Sequence, residues 1–170
     1  AQAREESFDT VSGKFEFVRK ETESLKPFEP VKIEGDKNSY PLILMPYDSI
    51  RLANSVIGDP PFVMKSVDDT VLKGTEVFIE INPKTAGEQG LREGQLAMLS
   101  TPVGKAKVKV HLFDGIMPGI VALPRGLGHT AYDEYLAGKG INFNELIGPV
   151  EDPVSGLDTA WGIRVKLAKA

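Results

Sequence analysis

Hydrophobic and polar positions alternate in several short runs along this chain. Lys105, Lys107, Lys109 and His111 interleave with Ala106, Val108, Val110 and Leu112, which is the period-two pattern of a strand with one wet and one buried face. The pattern recurs over residues 161–167, with Trp161, Ile163, Val165 and Leu167 on one face and Arg164 and Lys166 on the other. Ala106, Val108, Val110, Leu112, Ile163, Val165 and Leu167 are therefore expected in one core. Tyr40-Pro41-Leu42-Ile43-Leu44-Met45 is continuously apolar, as strands buried on both faces usually are. Further strands are predicted over residues 76–81, 95–101 and 120–123, with a turn and a strand over residues 7–19.

The breaks between these runs are also legible. Asn82 can cap the orphan N–H groups of a helical turn that opens at Pro83, a residue with no N–H to leave unpaired. Gly90 and Gly94 bracket a short loop, and Pro102-Val103-Gly104 turns one strand back on the next. Residues 20–39 are polar, contain Pro27 and Pro30, and read as a linker or surface strap. Residues 46–74 show no clear strand, are broken by Pro60-Pro61, and include Ser66-Val67-Asp68-Asp69 as a cap for a brief helix. Residues 124–160 form a loop-and-helix excursion, with a helix predicted to open at Thr130 and Asp133 in capping-box position. Six or seven short strands with few helices predict a mainly β fold, a barrel with excursions.

Composition narrows the function classes. With 170 residues, 41% hydrophobic and 26% charged, the chain can bury a real core, and one domain with an irregular extension is expected. No run approaches the about 20 apolar residues of a membrane helix, so no direct membrane insertion is expected. The net charge of −4 argues against a nucleic-acid partner, and the one basic row, Lys105 to Lys109, is the solvated face of a strand. The absence of cysteine removes disulfides, thiolate metal sites and Cys-ligated clusters from this chain and leaves its compartment open. The N-terminus has neither an initiator Met nor the apolar core of a signal peptide, and a piece of a longer protein is expected.

The chemistry on offer is that of binding. Only two histidines occur, His111 and His129, without metal-ligand spacing, and His111 takes a Lys position on the wet face of its strand. A nucleophile elbow, a phosphate-binding P-loop and a Rossmann glycine fingerprint are all absent. Three loop clusters remain. Arg125-Gly126-Leu127-Gly128-His129-Thr130 follows an apolar strand, where glycines let backbone approach a ligand; a tight strand-to-helix turn explains the same residues. Asp48, Ser49, Arg51 and Asn54 offer mixed donors and acceptors in what is otherwise a solvated loop. Asn142, Asn144, Glu151 and Asp152 form the third group, in which Asn and Asp-Pro also serve as turn formers.

In their order along the chain, these clusters resemble the C-terminal dinucleotide-binding domain of the dimethyl-sulfoxide-reductase superfamily of molybdopterin oxidoreductases, and most nearly its polysulfide/thiosulfate-reductase-like branch. Thr10-Val11-Ser12-Gly13-Lys14-Phe15-Glu16 resembles the family's T-P-S-G-K-x-E run, with Val11 in place of Pro. Ile81-Asn82-Pro83 through Gly94 is similar to its I-N-P-x-x-A, G-(I/L)-x-x-G signature, and Gly128-His129, Asn144-x-Leu146 and Asp152-Pro153-x-Ser155-Gly156 complete the series. The resemblance implies a six-stranded double-psi β-barrel (the aspartate-decarboxylase-like barrel) with short helices. Residues 1–39 would be the junction with a preceding domain and residues 40–170 the binding domain. It further implies a cap over a molybdopterin guanine dinucleotide that carries Mo or W, contacted by Ser49, Arg51, Asn54, Gly126, Gly128, His129, Asn144 and Asp152. The implied partners are the remaining domains of the parent enzyme and an iron–sulfur electron-transfer subunit; no chemistry by this domain alone is implied. The alternatives are a free-standing dinucleotide-binding subunit and a double-psi protein-recognition domain like that of AAA ATPases. A self-processing decarboxylase on the same barrel would need a Gly-Ser dipeptide, which the chain does not contain.

Overall fold

The computed structural model describes residues 8–17, 33–55, 65–131, 137–152, 156–158 and 162–170, with the side chains of residues 53–55 outside the description. By contacts the chain divides into residues 1–32 and residues 33–170. In the first unit, residues 8–17 form a turn closed by Gly13 N–H to Thr10 O at 3.0 Å, with Phe15 packed edge-on between Phe8 and Phe17. The expected strand is not found there: residues 14–17 pair with no other strand among the described residues.

The second unit is a closed barrel. Its strands are β1 (Leu42–Tyr47), β2 (Leu72–Lys73), β3 (Glu76–Ile81), β4 (Leu96–Ser100), β5 (Lys105–Leu112), β6 (Ile120–Pro124) and β7 (Ile163–Lys169). Around the ring, β6 pairs antiparallel with β3, β3 parallel with β5, and β5 antiparallel with β4. The ring continues through β4 and β7, antiparallel, then β7 and β1, antiparallel, and closes where β1 runs parallel to β6. β2 is a two-residue ribbon on β3. Six strands thus close a mainly β barrel with a few short helices, of the double-psi type.

The core follows the alternation. Val108, Val110, Ile163, Val165 and Leu167 are buried with Leu44, Ile79, Ile81, Leu99, Val121 and Leu123 in one cluster, and Ala106 and Leu112 pack against it. Trp161 lies outside the described residues. β1 differs from its continuously apolar reading: Leu42 and Leu44 are buried, whereas Ile43 and Met45 are half-covered on the outer face. A barrel has one interior, so the second apolar set of β1 rests against the chain at Gly162 instead.

The punctuation holds at α1 (Pro83–Glu88), where the Asn82 side chain accepts from Lys84 N–H at 3.0 Å with Pro83 in the first turn. Residues 66–69 form no helix; Val71 and Leu72 N–H both fold back on Asp68 O, a turn that leads directly into β2. A 3-10 helix, Ile50–Ser55, follows β1, and a second, Phe143–Glu145, interrupts the excursion after β6. The helix expected from Thr130, and Asp133 with it, falls on residues outside the description.

Candidate functional site

Because β1 and β6 run parallel in register, with Tyr47 opposite Pro124, the loops that follow them leave the same end of the barrel. Arg125 N–H donates to Tyr47 O at 3.0 Å, which continues that pairing one residue past β6. The Arg125 guanidinium meets Asp48 side-on: Nε donates to Oδ1 at 2.9 Å and Nη2 to Oδ2 at 2.6 Å. This bidentate bond holds the Arg125 guanidinium even more firmly protonated than usual; burial opposes it, and the charges of Asp48 and Asp158 add to it.

Beyond Arg125 the loop doubles against residues 138–142. Gly128 N–H donates to Lys139 O at 2.8 Å, and Gly138 N–H to His129 O at 3.0 Å. Gly128 has φ +79°, and a Cβ there would lie 2.1 Å from Asn142 N, so the two backbones approach as closely as they do only because position 128 carries no side chain. The 3-10 helix beyond is fixed from below. Asn142 Oδ1 caps Asn144 N–H at 3.0 Å, and the buried Thr101 hydroxyl donates to Leu146 O at 2.7 Å. The hairpin turn at Gly104 presses on Glu145 O with no room for a side chain.

Between these two segments lies a cavity of about 340 Å³, lined by residues 125–131 and 142–144. Its volume lies at the lower end of the range typical of small-molecule pockets. In its wall, His129 Nε2 is buried and meets no hydrogen-bond partner among the described residues. Asn144, an exposed residue, lines the same cavity. Phe143 and Leu127 supply apolar wall, both buried. Buried polar atoms in proteins are nearly always paired, so the unpartnered His129 Nε2 is an unsatisfied polar atom beside this cavity. Another depression, of about 420 Å³, lies over residues 92–95 and Lys169. Its Gln95 amide oxygen and Glu93 carboxylate already accept from Arg92 and Leu112 N–H, so it has less to offer.

Gly126, Gly128, His129 and Asn144 therefore come together around one cavity. Ser49, Arg51 and Asp152 are not among its described lining residues. The Ser49 hydroxyl accepts from Arg51 N–H at 3.3 Å, and the Arg51 guanidinium bonds Asp68 at 2.5 Å, toward the turn before β2. Asn54 lies in the first 3-10 helix, its side chain outside the description. Asp152 closes a turn, its N–H on Leu157 O and its carbonyl on Gly156 N–H. Reading residue types alone passed over Asp48 and Arg125 as a pair. They stand 77 positions apart, and only the parallel β1–β6 register announces their meeting.

Known proteins place the architecture. The family model "Molydopterin dinucleotide binding domain" matches residues 63–160. The menaquinone reductase molybdopterin-binding-like subunit of Nitratidesulfovibrio vulgaris is 39% identical over 130 residues, covering 76% of this chain and 19% of that protein. The arsenate respiratory reductase molybdopterin-containing subunit ArrA of Shewanella sp. is 31% identical over 150 residues, covering 83% of this chain and 17% of that protein. The chain thus spans under a fifth of the length of these relatives. Acetylene hydratase from Pelobacter acetylenicus shares the fold, with a TM-score of 0.61 at 19% identity over 79% of this chain and 19% of that one. The chain belongs to the molybdopterin dinucleotide binding domain family of molybdopterin oxidoreductases.

Proposed function

We propose that this chain caps a molybdopterin dinucleotide, in its guanine form and carrying Mo or W, within a larger oxidoreductase, and that the cavity at residues 125–131 and 142–144 receives one heterocyclic part of it. Residues 1–39 are the junction with the preceding part of the enzyme, and residues 40–170 are the binding domain. The observation that carries the reading is the buried, unpartnered Nε2 of His129 in the wall of that cavity. The rest of the lining fits the same ligand. Asn144 offers a donor and an acceptor to a heterocycle edge, Gly126 and Gly128 admit close backbone approach, and Phe143 and Leu127 give apolar walls. Ser49, Arg51, Asn54 and Asp152 contact parts of the ligand beyond the cavity.

When bound, the cofactor supplies the redox chemistry through its metal and pterin. This chain's residues bind it, orient it and keep water from its heterocycle. The electron partner is an iron–sulfur subunit of the same enzyme, reached through other domains. No helix among the described residues is long and apolar enough to cross a membrane.

The test is a nitrogen-15 NMR titration of the 170-residue chain with guanosine 5′-diphosphate. The amides of Gly126, Gly128 and His129 and the Asn144 side-chain NH₂ should shift together and saturate. Shifts confined to residues 92–95, or none at all, would remove the reading.

A further inference from the structure

We infer that Thr101, in the turn between β4 and β5, is a positioning residue for ligand binding. It acts through Leu146 to hold one wall of the cavity, residues 142–144, at its working distance from the other, residues 125–131. The inference rests on the reading of the cavity given above and deepens it. Thr101 is not among the described lining residues, so its effect on a ligand passes through the wall. Thr85 and Thr101 are the two buried polar side chains among the described residues. Thr85 fastens Gly119 N–H to the barrel, whereas Thr101 leads to the cavity. Its hydroxyl accepts from Val103 N–H at 3.2 Å and Gly104 N–H at 3.0 Å, and it donates to Leu146 O at 2.7 Å. Gly104 O, at 3.3 Å, is the longer alternative for the same proton and already accepts from Thr101 N–H at 2.8 Å. One donor and two acceptor sites are thus all in use, and the two turn N–H groups leave the hydroxyl proton aimed at Leu146 O.

The wall needs such a tether. The 3-10 helix Phe143–Glu145 is a single turn, and a turn of that length has little stability of its own. Leu146 stands at its C-cap, where helix carbonyls lack an internal partner, and Thr101 supplies one. Burial of Phe143 and Leu146 in the core holds the turn down, but apolar contact has no direction. The hydroxyl bond adds the direction. Gly104 reinforces it: a Cβ there would lie 2.2 Å from Glu145 O, so nothing stands between the β4–β5 turn and the wall. From across the cavity, Gly128 meets the same wall at Asn142. The wall is therefore clamped from two sides, and the cavity is formed before a ligand arrives. Preorganisation of this kind removes an ordering cost from binding.

The experiment compares wild type with Thr101→Val, Thr101→Ser and Thr85→Val in the 170-residue chain, under conditions in which each is folded. Isothermal titration with guanosine 5′-diphosphate reads affinity, and amide hydrogen exchange without ligand reads the wall. Thr101→Val keeps the side-chain shape and removes the hydroxyl. It should speed exchange at the Glu145 and Leu146 amides beyond any change in the strands, and weaken binding roughly fivefold, the scale of one lost buried hydrogen bond. Thr101→Ser keeps the hydroxyl and should bind within about twofold of wild type. Thr85→Val orphans a buried N–H in the same way, so it should lose comparable stability and leave affinity unchanged. A purely structural Thr101 would behave as Thr85 does, with exchange faster across the strands alike and unaltered affinity. That outcome, or a loss in Thr101→Ser equal to that in Thr101→Val, would overturn the inference while leaving the cavity as the ligand site. If Thr101→Val does not fold, Thr101→Cys carries the same test, because a thiol is a weak donor of similar volume; wild-type affinity there would also overturn the inference. Failure of the wild-type chain to bind guanosine 5′-diphosphate would overturn both the ligand reading and the positioning role.

Discussion

Residues 81–94 and residues 125–144 are both rich in glycine and polar side chains, but they dispose of their polar atoms in opposite ways. In the first, three polar side chains, Asn82, Thr85 and Glu93, are engaged within the fold. Asn82 caps Lys84 N–H with its oxygen and donates Nδ2 to Ile116 O at 2.9 Å, and the buried Thr85 hydroxyl accepts from Gly119 N–H at 2.9 Å. Glu93 accepts from Leu112 N–H at 2.6 Å and meets His111 Nδ1 at 3.2 Å. In the second, His129 and Asn144 line a cavity, and the buried His129 Nε2 meets no hydrogen-bond partner among the described residues. The segment that looks most like the family signature is thus a fastening for the barrel. The plainer one, Arg125 to Asn144, lines the cavity that the proposed function assigns to the ligand. A motif's distinctiveness in sequence reports how tightly its position constrains the chain, and that constraint is structural here.

The largest expected effect breaks the second region at its backbone. Gly128→Ala adds a Cβ at φ +79° and forces it to within 2.1 Å of Asn142 N. Left-handed strain and overpacking together should cost about 2–5 kcal/mol and open the cavity wall. Urea unfolding of the variant is the measurement; a midpoint equal to wild type would mean the two segments are not pressed together.

A pair of substitutions of similar size then separates the regions. Thr85→Val leaves Gly119 N–H without its acceptor and should destabilise by roughly 1–3 kcal/mol without altering guanosine 5′-diphosphate affinity. His129→Phe removes a nitrogen that the fold does not pair, so unfolding should change little. Ligand affinity should fall by roughly 1–3 kcal/mol. If His129→Phe cost stability and spared binding, the contrast would be reversed. Asn82→Ala comes next: loss of the cap and of the contact to Ile116 should lower stability by about 1 kcal/mol, again with affinity unchanged.

How far sequence reached follows the same division. The period-two strands were legible because the barrel has one interior and each residue of β5 and β7 must choose a side. Val108, Val110, Ile163 and Val165 chose as the pattern says. The Asn82-Pro83 cap was legible because it is local. Residues 66–69 misled because a cap signature is also a turn signature, and only the pull of β2 toward β3 decides between them. Residues 14–17, which join no strand among the described residues, show that a short alternating run does not make a strand without a neighbouring strand. Gly128 and His129 stood out as loop chemistry, but their convergence with Asn144 depends on a backbone packing that no spacing encodes. Asp48 with Arg125 depends on strand register, which is decided by the whole barrel.

The smallest effect probes a polar group that the first region's neighbourhood leaves imperfectly accommodated. Glu80 sits on the outer face of β3, in register with Ala122 of β6 on one side and His111 of β5 on the other. Burial raises its carboxyl above the ordinary range; His111 and the Tyr47 hydroxyl pull the other way without cancelling it. Tyr47 is in turn pushed up by its own burial, by the Glu80 charge and by its contact with that carboxyl. A carboxyl whose folded pKa exceeds its unfolded pKa binds more protons in the native state, so stability falls as pH rises through that window. The decline should begin near the ordinary carboxylate pKa of 4.5 and end once Glu80 is ionised in the folded barrel. Glu80→Gln removes the titration. The variant should therefore match or exceed wild type at neutral pH, lose the falling limb of the profile, and leave His111 on Glu93. Urea midpoints measured across about pH 4–8 for both proteins read this directly. A variant whose midpoint still fell with pH as wild type does would show that the outer face of β3 tolerates its carboxylate without cost. The contrast would then be sharpest at the cavity alone.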